Sequence, residues 1–384
     1  MGVLVVSFDS VSDKVFEAMA ADSASYPNVA RFKREAYYNG GIETVFVTNT
    51  YPIHATISTG KLPKEHGVVS NLLPKNKNGE QPWAQMARLI KAKTIWDAAR
   101  EKNLSTAAML WPVTCGAKID WHIPEVHVEK GQNLVARSLR YGGARFQLAM
   151  LAKYGGKLAK ALKGAGQPAL DDFTTSATCD LLKKRKPDLA LVHLIAYDTI
   201  FHFAGSKGKE IETAKKAMDE NLGRILESWG EGGAAIVFSD HAQIDVSETT
   251  NLHALYGDAV FEQVGGSAFV DKTVVGKSLE AQPWFGRYLT EKEMDESGYA
   301  REGLVGIAAK PGCIFSEKDK YKGAHGYPAD YDGYKVFYAV RGAGFAPGRA
   351  QGWLKNRVTD ITAIIANELD LDMDILRECG VRQA

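Results

Sequence analysis

The sequence predicts an α/β/α sandwich with a mostly parallel central sheet and an inserted cap subdomain. Three observations carry this expectation. Apolar, β-branched runs of strand length recur at 3–8, 42–48, 105–110, 189–196 and 234–238. Segments with helical periodicity separate them, the alternation expected of a parallel sheet covered on both faces. Between residues 115 and 167 the alternation lapses into a stretch dominated by Gly, Lys, Arg and Ala, which marks the cap.

Taken in order, the opening run from Val3 to Phe8 is nearly all apolar and stops at Asp9, as a central strand buried on both faces does. A helix follows over 13–19 with Asp13 as its cap, and Tyr26-Pro27-Asn28 opens another that runs to Ala36. Residues 42–48 predict a second strand, and 55–59 the start of a helix after Pro52, which places Thr50 in the turn between them. A helix over 95–101 leads to the strand 105–110, which ends at Trp111-Pro112. Beyond the insertion the pattern resumes with a helix over 171–184, the strand 189–196, a long helix over 209–229 and the strand 234–238. Residues 245–300 read as a second irregular segment, and apolar runs at 304–308 and 336–340 precede a helix over 359–369. The expected division is one main domain over 1–114 and 168–384, with the cap over 115–167.

A chain of 384 residues with 45% hydrophobic content buries a large core. Its 47 lysines and arginines against 46 acids leave a net charge of +1, with no long-range pull toward a nucleic-acid polymer or an anionic membrane. The Lys and Arg residues between 129 and 163 read as a solvated helix face. Cys115, Cys179, Cys313 and Cys379 are far apart and form no C-x-x-C pair, so free thiols in a reducing compartment are expected. Strand-like sequence from Val3 leaves no room for a signal peptide, and no run approaches ~18 apolar residues. The expected location is the cytoplasm, although a removed signal peptide would leave the same start.

Asp9, Thr50, Asp198, His202, Asp240, His241 and His325 each fall at or just beyond the end of a strand-like run. In open α/β sheets ligands gather outside the carboxyl ends of the strands, so this distribution predicts a metal-dependent hydrolase. The four-residue step from Asp198 to His202 puts both on one face of a helical turn, able to chelate one ion; a polar turn accounts for this pair alone at least as well. Asp240-His241 sits at the tip of an apolar run and offers ligands suited to zinc or manganese, or equally a hydrogen-bonded loop cap. His325 is flanked by glycines that let the backbone approach closely, with a surface loop as the bland alternative. The Thr50 hydroxyl is an ordinary turn residue unless a base or a metal stabilises its alkoxide.

The joint order of these signals resembles a family. Val-Val-Ser-Phe-Asp9, Thr50-Tyr-Pro-Ile-His54, Ser58-Thr-Gly60, Leu-Pro-Lys-Glu-His66-Gly67, Asn71, Asp198-x-x-x-His202, Ser-Asp240-His241 and Gly-x-His325-Gly-Tyr327 resemble the type I phosphodiesterase/nucleotide pyrophosphatase family of the alkaline phosphatase superfamily. The resemblance implies an alkaline phosphatase-like catalytic domain and two divalent metal ions, zinc foremost and manganese as the alternative. It makes Asp198, His202 and His325 one metal site and Asp9, Asp240 and His241 the other. Three carboxylates and three neutral imidazoles would carry a charge of about −3 without cations, a costly arrangement. Thr50 becomes the nucleophile on the second ion, and Asn71 the donor to a nonbridging phosphoryl oxygen. His54 and His66 match family positions and are assigned supporting work. Thr48 is a rival nucleophile, set aside because Thr50 directly precedes the aromatic-proline pair. Pro52-Ile53-His54 departs from the family's Pro-Asn-His, which puts the local loop hydrogen bonding in question.

The implied activity is hydrolysis of phosphate diesters or nucleotide pyrophosphates in two in-line steps through a covalent phospho-threonine. The implied partner is a small-molecule phosphate ester or nucleotide, with no nucleic-acid polymer and no membrane. A phosphonoacetate hydrolase-like or phosphomonoesterase activity is the nearest alternative, and an inactive metal-stabilised binding protein the more distant one. With no arginine near Thr50 in sequence, a diester is the better match than a monoester. Tyr51, Trp111, Trp121 and Tyr197 are the candidates to stack on a nucleobase or aryl group, against a rival reading as core.

Overall fold

The run Val3–Phe8 forms strand β1, and all six of its residues are buried. Its alternate side chains serve opposite faces: Val3 and Val5 join one core, while Leu4, Val6 and Phe8 join the other. The computed structural model describes residues 2–381 apart from 78, 163–165 and 343, so part of the expected 115–167 insertion lies outside the described residues.

Six further strands complete the central sheet: β2 (Tyr37–Ile42), β3 (Thr106–Met109), β4 (Trp121–Ile123), β5 (Leu189–Leu194), β6 (Ala234–Phe238) and Val336–Arg341. Their order is β2, Val336–Arg341, β6, β1, β5, β3, β4. β1 pairs in parallel with β5 and β6, and β3 with β4 and β5. Val336–Arg341 runs antiparallel to both of its neighbours. One face is covered by the helices Thr50–Thr59, Ile95–Glu101, Asp360–Glu368 and Asp374–Glu378. The other carries Asp13–Ala21, Pro27–Glu35, Ala169–Arg185 and Lys209–Trp229. The layers are those of the α/β/α sandwich, with the sheet buried on both sides.

Two expectations are corrected. The second strand lies at Tyr37–Ile42, not 42–48, and the apolar Val45, Phe46 and Val47 are buried in the connection that leads to Thr50. Residues 245–300 are not irregular, since Val260–Gln263, Ser267–Asp271, Phe285–Tyr288 and Leu304–Ala309 form a separate four-stranded antiparallel sheet. These strands are short, four to six residues each, so each shows too few alternations to register as a period of two. The expected strand at 304–308 belongs to this second sheet.

Residues 115–167 supply the edge strand β4 and the helices Leu134–Tyr141 and Ala144–Lys160, the latter packed on Ala169–Arg185. No described helix is long and apolar enough to cross a membrane. Cys115, Cys179, Cys313 and Cys379 are free thiols.

Candidate metal centre and nucleophile

Asp9 follows β1, Asp198 lies in the first turn of the helix Ala196–Ala204 after β5, and Asp240-His241 follow β6. Because β5, β1 and β6 are adjacent and parallel, their carboxyl ends deliver these side chains to one place. His325 arrives from the far side on a loop held against the second sheet. Gly326 stands at φ +85°, and a Cβ there would meet the Val264 carbonyl oxygen at 1.6 Å, so only glycine permits this approach. The Gly266 N–H donates to the His325 carbonyl at 2.9 Å and fixes the loop.

Two triads result. Asp198, His241 and His325 present ligand atoms within 4.8 Å of one another, and so do Asp9, Asp240 and His241. His241 is common to both, which the expected division into two separate sets did not contain. His202 stands slightly outside, with Nε2 3.5 Å from Asp198 Oδ1 and Nδ1 2.8 Å from the Gly323 carbonyl. His325 turns Nδ1 to Asn49 Oδ1 at 2.8 Å, leaving Nε2 toward the cluster.

The electrostatics are those of a site built for cations. Burial, reinforced by Asp240, Asp198 and Glu125, pushes the Asp9 carboxyl well above the usual carboxylate range. Burial acts in the same sense on Asp198, but His202, His325, His241 and the Ser10 hydroxyl outweigh it and hold that carboxyl at about 2. Burial, then His241 and His202, push the His325 imidazole well below its ordinary value. Asp240 Oδ2 is buried and has no hydrogen-bond partner among the described residues. An unpaired buried carboxylate oxygen is costly, and a coordinated cation relieves it. The donor set of carboxylates and imidazoles fits divalent zinc or manganese chemistry.

Thr50 is the first residue of the helix Thr50–Thr59, with Asn49 at the N-cap position, where the helix dipole favours an anion; Asn71 takes the Tyr51 N–H and Pro52 has none, which leaves the Thr50 N–H as the first-turn donor. Its Oγ1 lies 3.1 Å from His241 Nε2. Asn71 Oδ1 accepts the Tyr51 N–H at 2.8 Å, so its Nδ2 is the half left to donate. Thr48 is committed elsewhere: its buried Oγ1 donates to the Tyr327 carbonyl at 2.7 Å.

His54 is buried beneath the site, with Nδ1 2.8 Å from the Thr50 carbonyl and Nε2 3.0 Å from Ser7 Oγ. His66 accepts the Val68 N–H on Nδ1 and meets Thr56 Oγ1 at 3.0 Å on Nε2. Ile53, at the family departure, packs in the apolar core.

The stacking candidates need correction. Trp111 is fully buried with Nε1 donating to Ser58 Oγ at 3.0 Å, and Tyr197 is buried against the helices of the other face. Tyr51 is fully buried, so three of the four present no open face for stacking, while Trp121 is half-buried against the same core as Tyr197. Each sits where a strand end or helix start dips into a core, which a lone aromatic in sequence does not reveal.

Ser10, His193 and Gln243 were not legible. His193, inside β5, places Nε2 3.1 Å from Asp9 Oδ2 and Nδ1 3.2 Å from the Leu110 carbonyl. Gln243 Nε2 donates to Asp198 Oδ1 at 2.5 Å. The available signal was adjacency, since Ser10 and Gln243 flank Asp9 and Asp240-His241.

The venom phosphodiesterase CdcPDE of Crotalus durissus collilineatus is 21% identical over 382 residues, covering 90% of this chain and 41% of the venom protein. Bis(5'-adenosyl)-triphosphatase ENPP4 of Homo sapiens is 29% identical over 123 residues, covering 29% of this chain and 25% of that protein. The chain thus spans under half the length of these relatives. Murine ectonucleotide pyrophosphatase/phosphodiesterase 5, also solved as an inactive variant with AMP, superposes with a TM-score of 0.67 at 16% identity, covering 97% of this chain and 95% of the other. Phosphonoacetate hydrolase of Sinorhizobium meliloti 1021 superposes with a TM-score of 0.62 at 16% identity, covering 96% of each chain. The family model of type I phosphodiesterase / nucleotide pyrophosphatase matches residues 3–368, and the chain belongs to that family.

Proposed function

We propose that the protein is a metal-dependent hydrolase of phosphate diesters or nucleotide pyrophosphates, with Thr50 as nucleophile. The observation that carries this reading is the Thr50 hydroxyl 3.1 Å from Nε2 of a histidine shared by both triads. Asp198, His202 and His325 would hold one cation and Asp9, Asp240 and His241 another, zinc being the best match to this donor set. A bound pair supplies Lewis acidity for an alkoxide and for a leaving oxygen.

The chain's own groups do the rest. Thr50 Oγ1 forms a bond to phosphorus as the bond to the departing alcohol breaks, giving a phospho-threonine. Asn71 Nδ2 and the Thr50 N–H at the start of the Thr50–Thr59 helix are the donors for the phosphoryl oxygens that gain charge. Water then displaces Thr50 and releases the phosphate monoester. The side-chain partners of Asp9, Asp198 and Asp240 among the described residues are imidazoles, Ser10 and Gln243, with no lysine or arginine. A site without that extra positive charge suits a diester better than a dianionic monoester.

The test is hydrolysis of bis(p-nitrophenyl) phosphate, p-nitrophenyl phosphate, AMP esters and phosphonoacetate by metal-reconstituted protein. Faster turnover of the diesters supports the reading; faster turnover of phosphonoacetate or the monoester replaces it.

A further inference from the structure

The residue after Asp9 stands at the junction of both triads. Ser10 Oγ donates to Asp198 Oδ1 at 2.6 Å, lies 3.1 Å from His241 Nδ1 and 3.5 Å from Asp9 Oδ1, and its backbone N–H donates to Asp240 Oδ1 at 3.2 Å. Gln243 Nε2 donates to both Asp198 Oδ1 and Ser10 Oγ, at 2.5 and 3.2 Å. Ser10 and Gln243 are buried.

These contacts leave one consistent arrangement of hydrogens. Of the two carboxylates that Ser10 Oγ reaches, Asp198 at 2.6 Å is far closer than Asp9 at 3.5 Å, so Ser10 Oγ spends its hydrogen there and offers lone pairs to its other neighbours. His241 Nδ1 faces that oxygen at 3.1 Å and the Ala242 carbonyl at 3.3 Å, both acceptors, and therefore carries the hydrogen. The neutral ring then bears its lone pair on Nε2, the atom directed at Thr50 Oγ1, 3.5 Å from Asp9 Oδ1 and 3.4 Å from Asp240 Oδ2.

We propose that Ser10 is a positioning residue that sets the Nδ1–H tautomer of His241 and the orientation of Asp198, with Gln243 holding the serine oxygen in place. This rests on the reading of the cluster as a divalent-metal site. The backbone supports a role for the hydroxyl itself: Ser10 has φ +66°, a region where glycine is the unstrained choice.

The same backbone supplies the test. S10G removes the hydroxyl while relieving the conformational cost, so fold and metal binding separate. Zinc affinity is measured by competition with a chromophoric chelator, the visible spectrum of the cobalt-substituted protein reports ligand geometry, and thermal unfolding of the metal-free protein reports the fold. The expected result for S10G is zinc affinity lower by about tenfold or more, a typical cost for losing a group that orients a metal ligand, with an altered cobalt spectrum. The metal-free protein should unfold no earlier than wild type. Wild-type affinity and spectrum in S10G would overturn the proposal, as would an affinity loss matched by earlier metal-free unfolding, which would make Ser10 a folding residue. Wild-type protein that binds neither zinc nor cobalt would instead overturn the metal reading, and this inference with it.

Discussion

Nε2 of His241 lies 3.1 Å from the Thr50 hydroxyl, although the two residues are 191 positions apart in the chain. The distance ties the start of one helix to the end of strand β6, so the proposed nucleophile and the proposed metal ligands are positioned by the same sheet.

Removing the hydroxyl separates chemistry from metal binding. Thr50→Ala is expected to lower kcat on a diester by about a thousandfold or more while metal content stays at the wild-type level. Steady-state rates together with metal analysis of the purified variant check both halves.

The shared position of His241 predicts an asymmetry between histidines. His241→Ala breaks both triads and should cost most of the bound metal, whereas His202→Ala, whose Nε2 is 3.5 Å from Asp198 and outside either triad, should cost at most one ion. Metal per chain by mass spectrometry after dialysis decides it, and equal losses would contradict it.

Asn71 has its oxygen spent on the Tyr51 N–H, so Asn71→Asp keeps that acceptor while exchanging the donor for a second, anionic oxygen. A fall in kcat of about a hundredfold with unchanged metal content is expected, the usual cost of one donor to a developing oxyanion. A rate near wild type would remove Asn71 from the phosphoryl site.

Gly326→Ala puts a methyl group 1.6 Å from the Val264 carbonyl oxygen at φ +85°. It should destabilise the fold by at least ~2 kcal/mol and displace His325, which denaturant unfolding and zinc affinity report together.

Burial pushes His54, His66 and His122 each down to about 3. Their folded values lie below the unfolded one, so the stability they permit is full above about pH 6.5 and is lost as pH falls toward 3, by about 1.4 kcal/mol per pH unit for each group. His66→Gln is expected to flatten the fall in unfolding free energy of metal-free protein between pH 6.5 and 5. An unchanged slope would mean that His66 is protonated in the fold.

The same physics decides what could be read in the sequence. β1, β5 and β6 were legible because burial on both faces leaves unbroken apolar runs, and the ligands at their ends were legible because they interrupt those runs. β2 was not, since Tyr-Tyr-Asn-Gly-Gly-Ile at a sheet edge carries little apolar signal, while Val45-Phe46-Val47 looks like a strand but is packed as a connection. The aromatic candidates failed because burial of Trp111 and Tyr197 depends on helices far away in the chain. Ser10 and Gln243 stayed hidden because a serine or glutamine becomes informative only when the carboxylate and imidazole it touches are known.

The most direct measurement is the location of the phosphoryl group in acid-quenched protein after brief exposure to bis(p-nitrophenyl) phosphate, read by tandem mass spectrometry of the peptide that contains both Thr48 and Thr50. The account predicts an aryl-phosphoryl adduct on Thr50 that is absent from Thr50→Ala. An adduct on Thr48 or any other residue, or undiminished turnover by Thr50→Ala, would contradict it.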